Sequence, residues 1–120
     1  MRILDSNIII YASQSSANNL EPYIKDSNNF VSEITKLEVL GFHNFDTFSK
    51  QQMTELFENL NIIPINSTII DKAISLRQNR KMAMGDSIIA ATALIFGYEL
   101  ITRNVKDFEK LNIRVNNPML

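Results

Sequence analysis

The chain has 120 residues, 45% hydrophobic and 21% charged, with three Gly and three Pro, a composition that excludes disordered, collagenous and low-complexity readings. With no Cys and a single His, His43, it excludes disulfide scaffolds, zinc ribbons, iron–sulfur clusters, thiol nucleophiles and multi-histidine metal sites. A formal net charge of −1 gives no global basic field, although twelve Lys and Arg leave room for a local one.

No repeat, linker or compositional break divides the sequence, so residues 1–120 read as one unit. Residues 2–5 form a short apolar strand that ends in Asp5, and the run 8–11 opens a helix or extends the strand. Residues 13–19 are polar and loop-like, followed by a short helix over 20–25 and a turn at Asn28-Asn29. Residues 30–32 read as a second strand. Thr35 then opens a helix carrying Leu37, Val39, Leu40 and Phe42. Phe45, Phe48, Met53, Leu56, Phe57 and Leu60 predict an amphipathic helix over about 46–60. A strand over 62–65 precedes Ser67 as the N-cap of a helix lined by Ile69, Ile70, Ala73 and Ile74. Gly85-Asp86 starts a helix over 87–96 that Gly97 ends; residues 100–102 are a strand, 105–111 a helical turn or two, and 113–115 a last strand. Alternation at this spacing predicts an α/β fold with a mostly parallel sheet. The N-terminus places Asp5 where a signal peptide needs its apolar run, and the longest nearly apolar stretch, 88–96, is about half a membrane span. The expectation is a soluble, cytoplasmic protein.

In parallel α/β sheets the functional crevice lies beyond the carboxyl ends of the strands. Four acids fall at or just past such junctions: Asp5, Glu38, Asp86 and Asp107. Structural roles compete for three of them. Thr35-x-x-Glu38 has the form of a capping box, Asp86 could cap the helix after Gly85, and Asn104 with Asp107 could cap the turn before Leu111. Asp5 is different, because it interrupts apolar sequence, and an unpaired buried carboxylate costs several kcal/mol. Carboxylates converging on one crevice repel, and a divalent cation relieves that repulsion; oxygen-only ligands point to Mg²⁺ or Mn²⁺. Such an ion can activate water and stabilise a phosphodiester under attack. The three glycines, at 41, 85 and 97, form no phosphate-cradling loop, which argues against a P-loop enzyme.

Leu4-Asp5-Ser6-Asn7, Ser32-Glu33-Ile34-Thr35 leading to Glu38, Asp86-Ser87-Ile88-Ile89-Ala90-Ala91-Thr92-Ala93 and Thr102-Arg103-Asn104-Val105-Lys106-Asp107-Phe108 together resemble the PIN domain, in particular the small VapC-type toxin ribonucleases. The resemblance covers essentially the whole chain. It implies a three-layer α/β/α sandwich around a mostly parallel sheet. It also implies an acidic quartet of Asp5, Glu38, Asp86 and Asp107 that is both catalytic and metal-holding. Ser6 would be the small hydroxyl residue after the first acid, and Thr102 and Asn104 would support the loop of Asp107. Ser87 stands where Ala is frequent. The activity implied is Mg²⁺- or Mn²⁺-dependent endoribonucleolytic cleavage of RNA by a homodimer that a cognate antitoxin holds inactive.

Arg77, Arg80 and Lys81 before the Gly85-Asp86 turn, and Arg103 and Lys106 around the last acid, are candidate phosphate contacts; the competing role is a solvated helix end. His43, among Phe42, Asn44 and Phe45, reads as structural. Crowding of Phe42, Phe45, Phe48, Met53 and Phe57 suggests apolar surface in excess of one core and hence a dimer. The alternatives are a PIN-fold processing or repair nuclease without an antitoxin, and a non-catalytic, receiver-like metal-binding module. A receiver wants an acid pair in its first strand, where this chain has Asp5 alone.

Overall fold

The computed structural model describes residues 1–12, 21–42 and 46–118. The predicted loop over 13–19, Leu20, His43 and Phe45 lie outside the described residues. In chain order the elements are β1 (Arg2–Leu4), α1 (Ser6–Ala12), α2 (Glu21–Lys25), β2 (Asn29–Ser32), α3 (Glu33–Leu40), α4 (Thr47–Glu58), β3 (Asn61–Ile63), α5 (Ser67–Asn79), α6 (Met84–Phe96) and β4 (Glu99–Ile101). A 3-10 turn (Val105–Phe108) and β5 (Val115–Asn116) follow. Among the described residues no helix is long and apolar enough to cross a membrane.

The five strands form one sheet in the order β3-β2-β1-β4-β5, every pairing parallel. The first strand made is therefore the central one, and the strand order reverses beside it. Such a reversal opens a crevice at the carboxyl ends of the two strands that flank it, here β1 and β4. Successive strand residues point to opposite faces, and the register aligns them across the sheet: Leu4 opposite Val31 and Ile101, Ile3 opposite Leu100. On one face Leu4, Val31 and Ile101 pack with Ile8 and Ile9 of α1, Val39 of α3 and Met53 and Phe57 of α4. On the other, Ile3 and Leu100 pack with Ile89, Ala90 and Ala93 of α6 and with Phe108. Ile69 and Ala73 of α5 close over Ile88 and Ala91. The result is the expected three-layer α/β/α sandwich.

Helix α6 is buried continuously from Ser87 to Ala93, because it lies between the sheet and α5, and its alanines let both neighbours approach. Its two buried hydroxyls are satisfied within the helix: Ser87 donates to the Met84 carbonyl at 2.6 Å and Thr92 to that of Ile88 at 2.7 Å. Gly97, in the left-handed conformation at φ 69°, ends it.

Several local expectations need correction. Helix α3 begins at Glu33, capped by Ser32, whose hydroxyl accepts from the Ile34 amide; Thr35 is inside the helix, so the Thr35–Glu38 capping box does not form. Asn66, not Ser67, caps α5. Helix α6 starts three residues earlier than expected, with Ala83 at the cap position, so Asp86 is a first-turn residue and not the N-cap. Residues 105–111 contain only the short 3-10 turn, and the Asn104 side chain makes no cap. The crowded aromatic set also divides: Met53 and Phe57 are core, whereas Phe42 and Phe48 are exposed.

Candidate active site

Asp5 leaves β1 at the strand-order reversal and is 5% exposed. Its amide continues the ladder to the Ile101 carbonyl at 2.9 Å, which fixes its backbone against β4. Oδ1 accepts from the Ser6 amide at 2.7 Å, and Oδ2 accepts from the Thr102 hydroxyl at 2.7 Å and the Asn7 amide group at 3.3 Å. Burial raises the carboxyl above its ordinary range and outweighs the opposing pull of these hydrogen bonds; the nearby Asp107 charge pushes in the same upward direction.

The Ser6 hydroxyl reaches the other way, donating to Glu38 Oε1 at 3.0 Å and lying 3.2 Å from the hydroxyl of buried Thr35. Glu38 is thereby turned from α3 toward the head of α6, where Gly85 makes room for it. A Cβ at position 85 would stand 2.6 Å from Glu38 Oε2. Asp86 follows in the first turn of α6. Its carboxyl is pushed up to about 6, first by desolvation and then by the charges of Asp5, Asp107 and Glu38. Asp107 sits on the 3-10 turn, its amide bonded to the Asn104 carbonyl at 3.0 Å. The structure thus brings the four predicted acids into one electrostatic neighbourhood at the β1/β4 crevice.

Among the described residues no three acidic side chains are gathered tightly enough to chelate an ion by themselves. The donor chemistry nevertheless fits a hard cation. All four groups offer carboxylate oxygens, and the other three act on Asp86 as like charges. Magnesium in particular is held by one or two carboxylates and keeps several waters, so a tight protein cage is not required.

Thr102, fully buried, accepts from the Asn104 amide at 3.0 Å while donating to Asp5. Asn104 contributes through its backbone. The cations diverge. Arg103 stacks over the Tyr11 ring at 3.9 Å and, with Lys106 and Asp107, lines a hollow of about 460 Å³. Arg80 donates to the main-chain carbonyls of Glu109 and Asp107, and Arg77 to that of Met82 at 3.2 Å. Lys81 is exposed.

Two residues of the site are not evident from sequence. Asn7 donates to Asp5 and, at 3.4 Å, to Thr102, while its oxygen accepts from the Arg103 amide at 3.3 Å, so it ties α1 to the loop after β4. Its position two residues after the acid is a usable signal. Gly85 reads as a turn former, and only the approach of Glu38 reveals why a side chain is excluded there.

The PIN domain family profile matches residues 2–113. No curated protein matches the sequence. Among solved structures, a chain of a toxin–antitoxin complex from Klebsiella pneumoniae is 32% identical over 98% of both chains, with a TM-score of 0.82. A chain of VapBC-1 from nontypeable Haemophilus influenzae is 25% identical, covering 99% of this chain and 98% of that one at a TM-score of 0.80. A chain of VapBC2 from Rickettsia felis, bound to a promoter DNA fragment, shares the fold at 22% identity and a TM-score of 0.78 over 97% of each. The likeness runs through the whole sheet and both helical layers, and the chain belongs to the PIN domain family, resembling its VapC-type members.

Proposed function

We propose that this chain is a divalent-metal-dependent endoribonuclease and the toxin of a toxin–antitoxin pair, with Asp5, Glu38, Asp86 and Asp107 holding Mg²⁺ or Mn²⁺. PIN domains are in general nucleases that use divalent metals, and the chain's family membership makes it a phosphodiester hydrolase by class. The observation that carries the site assignment is geometric: Ser6 links buried Asp5 to Glu38 by its amide and hydroxyl, and Gly85 leaves the head of α6 open to Glu38 beside Asp86. Antitoxin control is supported by the likeness to chains of toxin–antitoxin complexes.

In the proposed reaction water adds to phosphorus, the bond to one ester oxygen breaks, and that oxygen takes up a proton. A bound divalent ion supplies Lewis-acid stabilisation of the phosphate and a water of lowered pKa. Asp5 is the fixed member of the set, immobilised by Ser6, Thr102 and Asn7. Asp86, its carboxyl pushed up to about 6 by burial and the neighbouring acids, is still mostly ionised at neutral pH. Glu38 is aimed by the Ser6 hydroxyl. Arg103 and Lys106 offer positive charge to the substrate backbone at the rim.

Asp86→Asn and Asp5→Asn should each lose on the order of a hundredfold or more in metal-supported RNA cleavage, given the several kcal/mol a metal contributes to the transition state. Circular dichroism checks that the fold is kept. A folded Asp86→Asn protein cleaving at the parental rate overturns the assignment. Co-expression with the neighbouring gene's product tests the antitoxin: a stable inactive complex is expected, and activity unaffected by any such partner would leave a PIN nuclease outside toxin–antitoxin control. The homodimer is supported by exposed Ile70, Ile74 and Met84, which edge an apolar hollow between α5 and α6. Sedimentation showing only monomer would remove it.

A further inference from the structure

Between α5, the end of α6 and the segment from the 3-10 turn to Asn112 lies a hollow of about 750 Å³ with an apolar floor of Leu76, Leu94 and Leu111 and a rim that carries Lys72, Arg80, Lys106, Lys110 and Glu109. Four cations facing one acid is a pronounced local excess in a chain whose formal net charge is −1. Like charges gathered in one concavity repel. Among the described residues none of these four joins an ion pair, whereas Arg2 at the amino end of the sheet pairs with Asp26.

The backbone here is unusual as well. Lys110 at φ 67° and Asn112 at φ 60° are the positive-φ non-glycine residues of the described chain, and both border this hollow. A left-handed lysine is a costly conformation that persists only when its surroundings impose it. These two residues bracket Leu111, which is buried against the core, so Lys110 is held over the hollow at a fixed point. The hollow also adjoins the site. Lys106 borders both it and the smaller concavity containing Arg103 and Asp107. Arg80, bonded to the carbonyls of Asp107 and Glu109, braces the wall between them.

We infer that this hollow is a second nucleic-acid subsite, taking the phosphate backbone of a single-stranded stretch of RNA beyond the scissile bond once the strand has passed over Arg103 and Lys106. The inference rests on the nuclease reading above and extends it to a path for the substrate. Lys72 and Lys110 are its defining residues, since they lie away from the carboxylates and have no part in the site described so far.

The test is RNA binding by the Asp86→Asn protein, which does not cleave, using labelled single strands of about four and about twelve nucleotides, the span over which such sites range. The longer strand should bind more tightly, because it reaches the hollow. Lys72→Gln/Lys110→Gln should narrow the gap between the two strands and lower the salt slope for the longer one by about 1.4, at roughly 0.7 for each phosphate no longer neutralised. Lys72→Gln alone should lower it by about 0.7. The charge-matched variant Lys36→Gln/Lys50→Gln, on α3 and α4, should keep both gap and slope. An unchanged slope in the double variant overturns the subsite. So does an equal loss for both strands, which would mark a general field effect, or displacement of the long strand by millimolar inorganic phosphate with no length preference, which would mark a small-anion site. Failure of the nuclease reading looks different: parent protein that cuts no RNA in Mg²⁺ or Mn²⁺ yet shows the length and slope pattern would overturn cleavage and still support the subsite.

Discussion

Gly85 separates stability from function at the scale of one atom. In an ordinary helix, alanine in place of glycine stabilises by up to about 1 kcal/mol. Here the added Cβ would stand 2.6 Å from Glu38 Oε2, so the exposed end of Glu38 must swing away. That movement costs little, because Glu38 is solvent-accessible and its stem is flexible. Gly85→Ala should therefore melt at or above the parent temperature while RNA cleavage falls about tenfold or more, the usual scale for a displaced site group. Thermal melts and cleavage rates on the same preparation check both halves. Parental activity would show that Glu38 has no part in the reaction. Residue identity announces the acids in advance, since charges in apolar sequence are conspicuous. It cannot announce what Gly85 and Asn7 do there, because their roles depend on residues 47 and 96 positions away along the chain.

Between elements, the joint that matters is β1 against β4. Beyond their ladder these strands are joined by the Thr102 hydroxyl on Asp5 Oδ2 at 2.7 Å, a buried hydrogen bond to a carboxylate. Thr102→Val keeps the shape and removes the donor. Hydrogen bonds to charged groups contribute about 1.5–3 kcal/mol, so a loss of that order is expected in denaturant unfolding, with Thr102→Ser largely restoring it. Indistinguishable unfolding curves for the Val and Ser variants would mean that the bond contributes nothing. The existence and type of the elements are legible in the sequence because hydrophobic spacing changes visibly from strand to helix. Their ends are not. Ser32 reads as a strand residue although it also caps α3, and Thr35, which looks like a cap, is a buried helix residue touching the site. Gly85 reads locally as a breaker and so delays the apparent head of α6, whereas the helix begins at Met84, a turn ahead of its buried stretch from Ser87 to Ala93. Segment 105–111 loses its helix to Phe108, which is drawn into the core after a single 3-10 turn.

For the molecule as a whole, the crowded carboxylates make stability depend on pH in an uncommon direction. Asp86 titrates near 6 when folded, well above the unfolded value of about 3.9, so between these limits the folded state binds more protons. The metal-free protein should consequently gain stability as pH falls from 7 toward 5, where most acid-sensitive proteins begin to lose it. Asp86→Asn should flatten that rise and melt higher than the parent at pH 7 in chelator. It is a cleaner probe than Asp5→Asn, because Asp5 must keep accepting from Ser6, Thr102 and Asn7. Millimolar Mg²⁺ or Mn²⁺ should raise the melting temperature at pH 7 and do so less at pH 5, where protons compete for the same oxygens. Parent and variant melts that run parallel across this range would show that the four acids do not share one field.

The order of the strands also sets a clock. Of the five strands the central β1 is made before the others, yet the hydroxyl that fixes Asp5 lies 97 residues downstream. At about 5–20 residues per second of synthesis, roughly 5–20 s separate the two. Throughout that interval the nascent chain carries Asp5 without β4, without Thr102 and without Asp107. A chain cut short before residue 102 thus lacks the donor that holds Asp5, together with Asp107 beyond it.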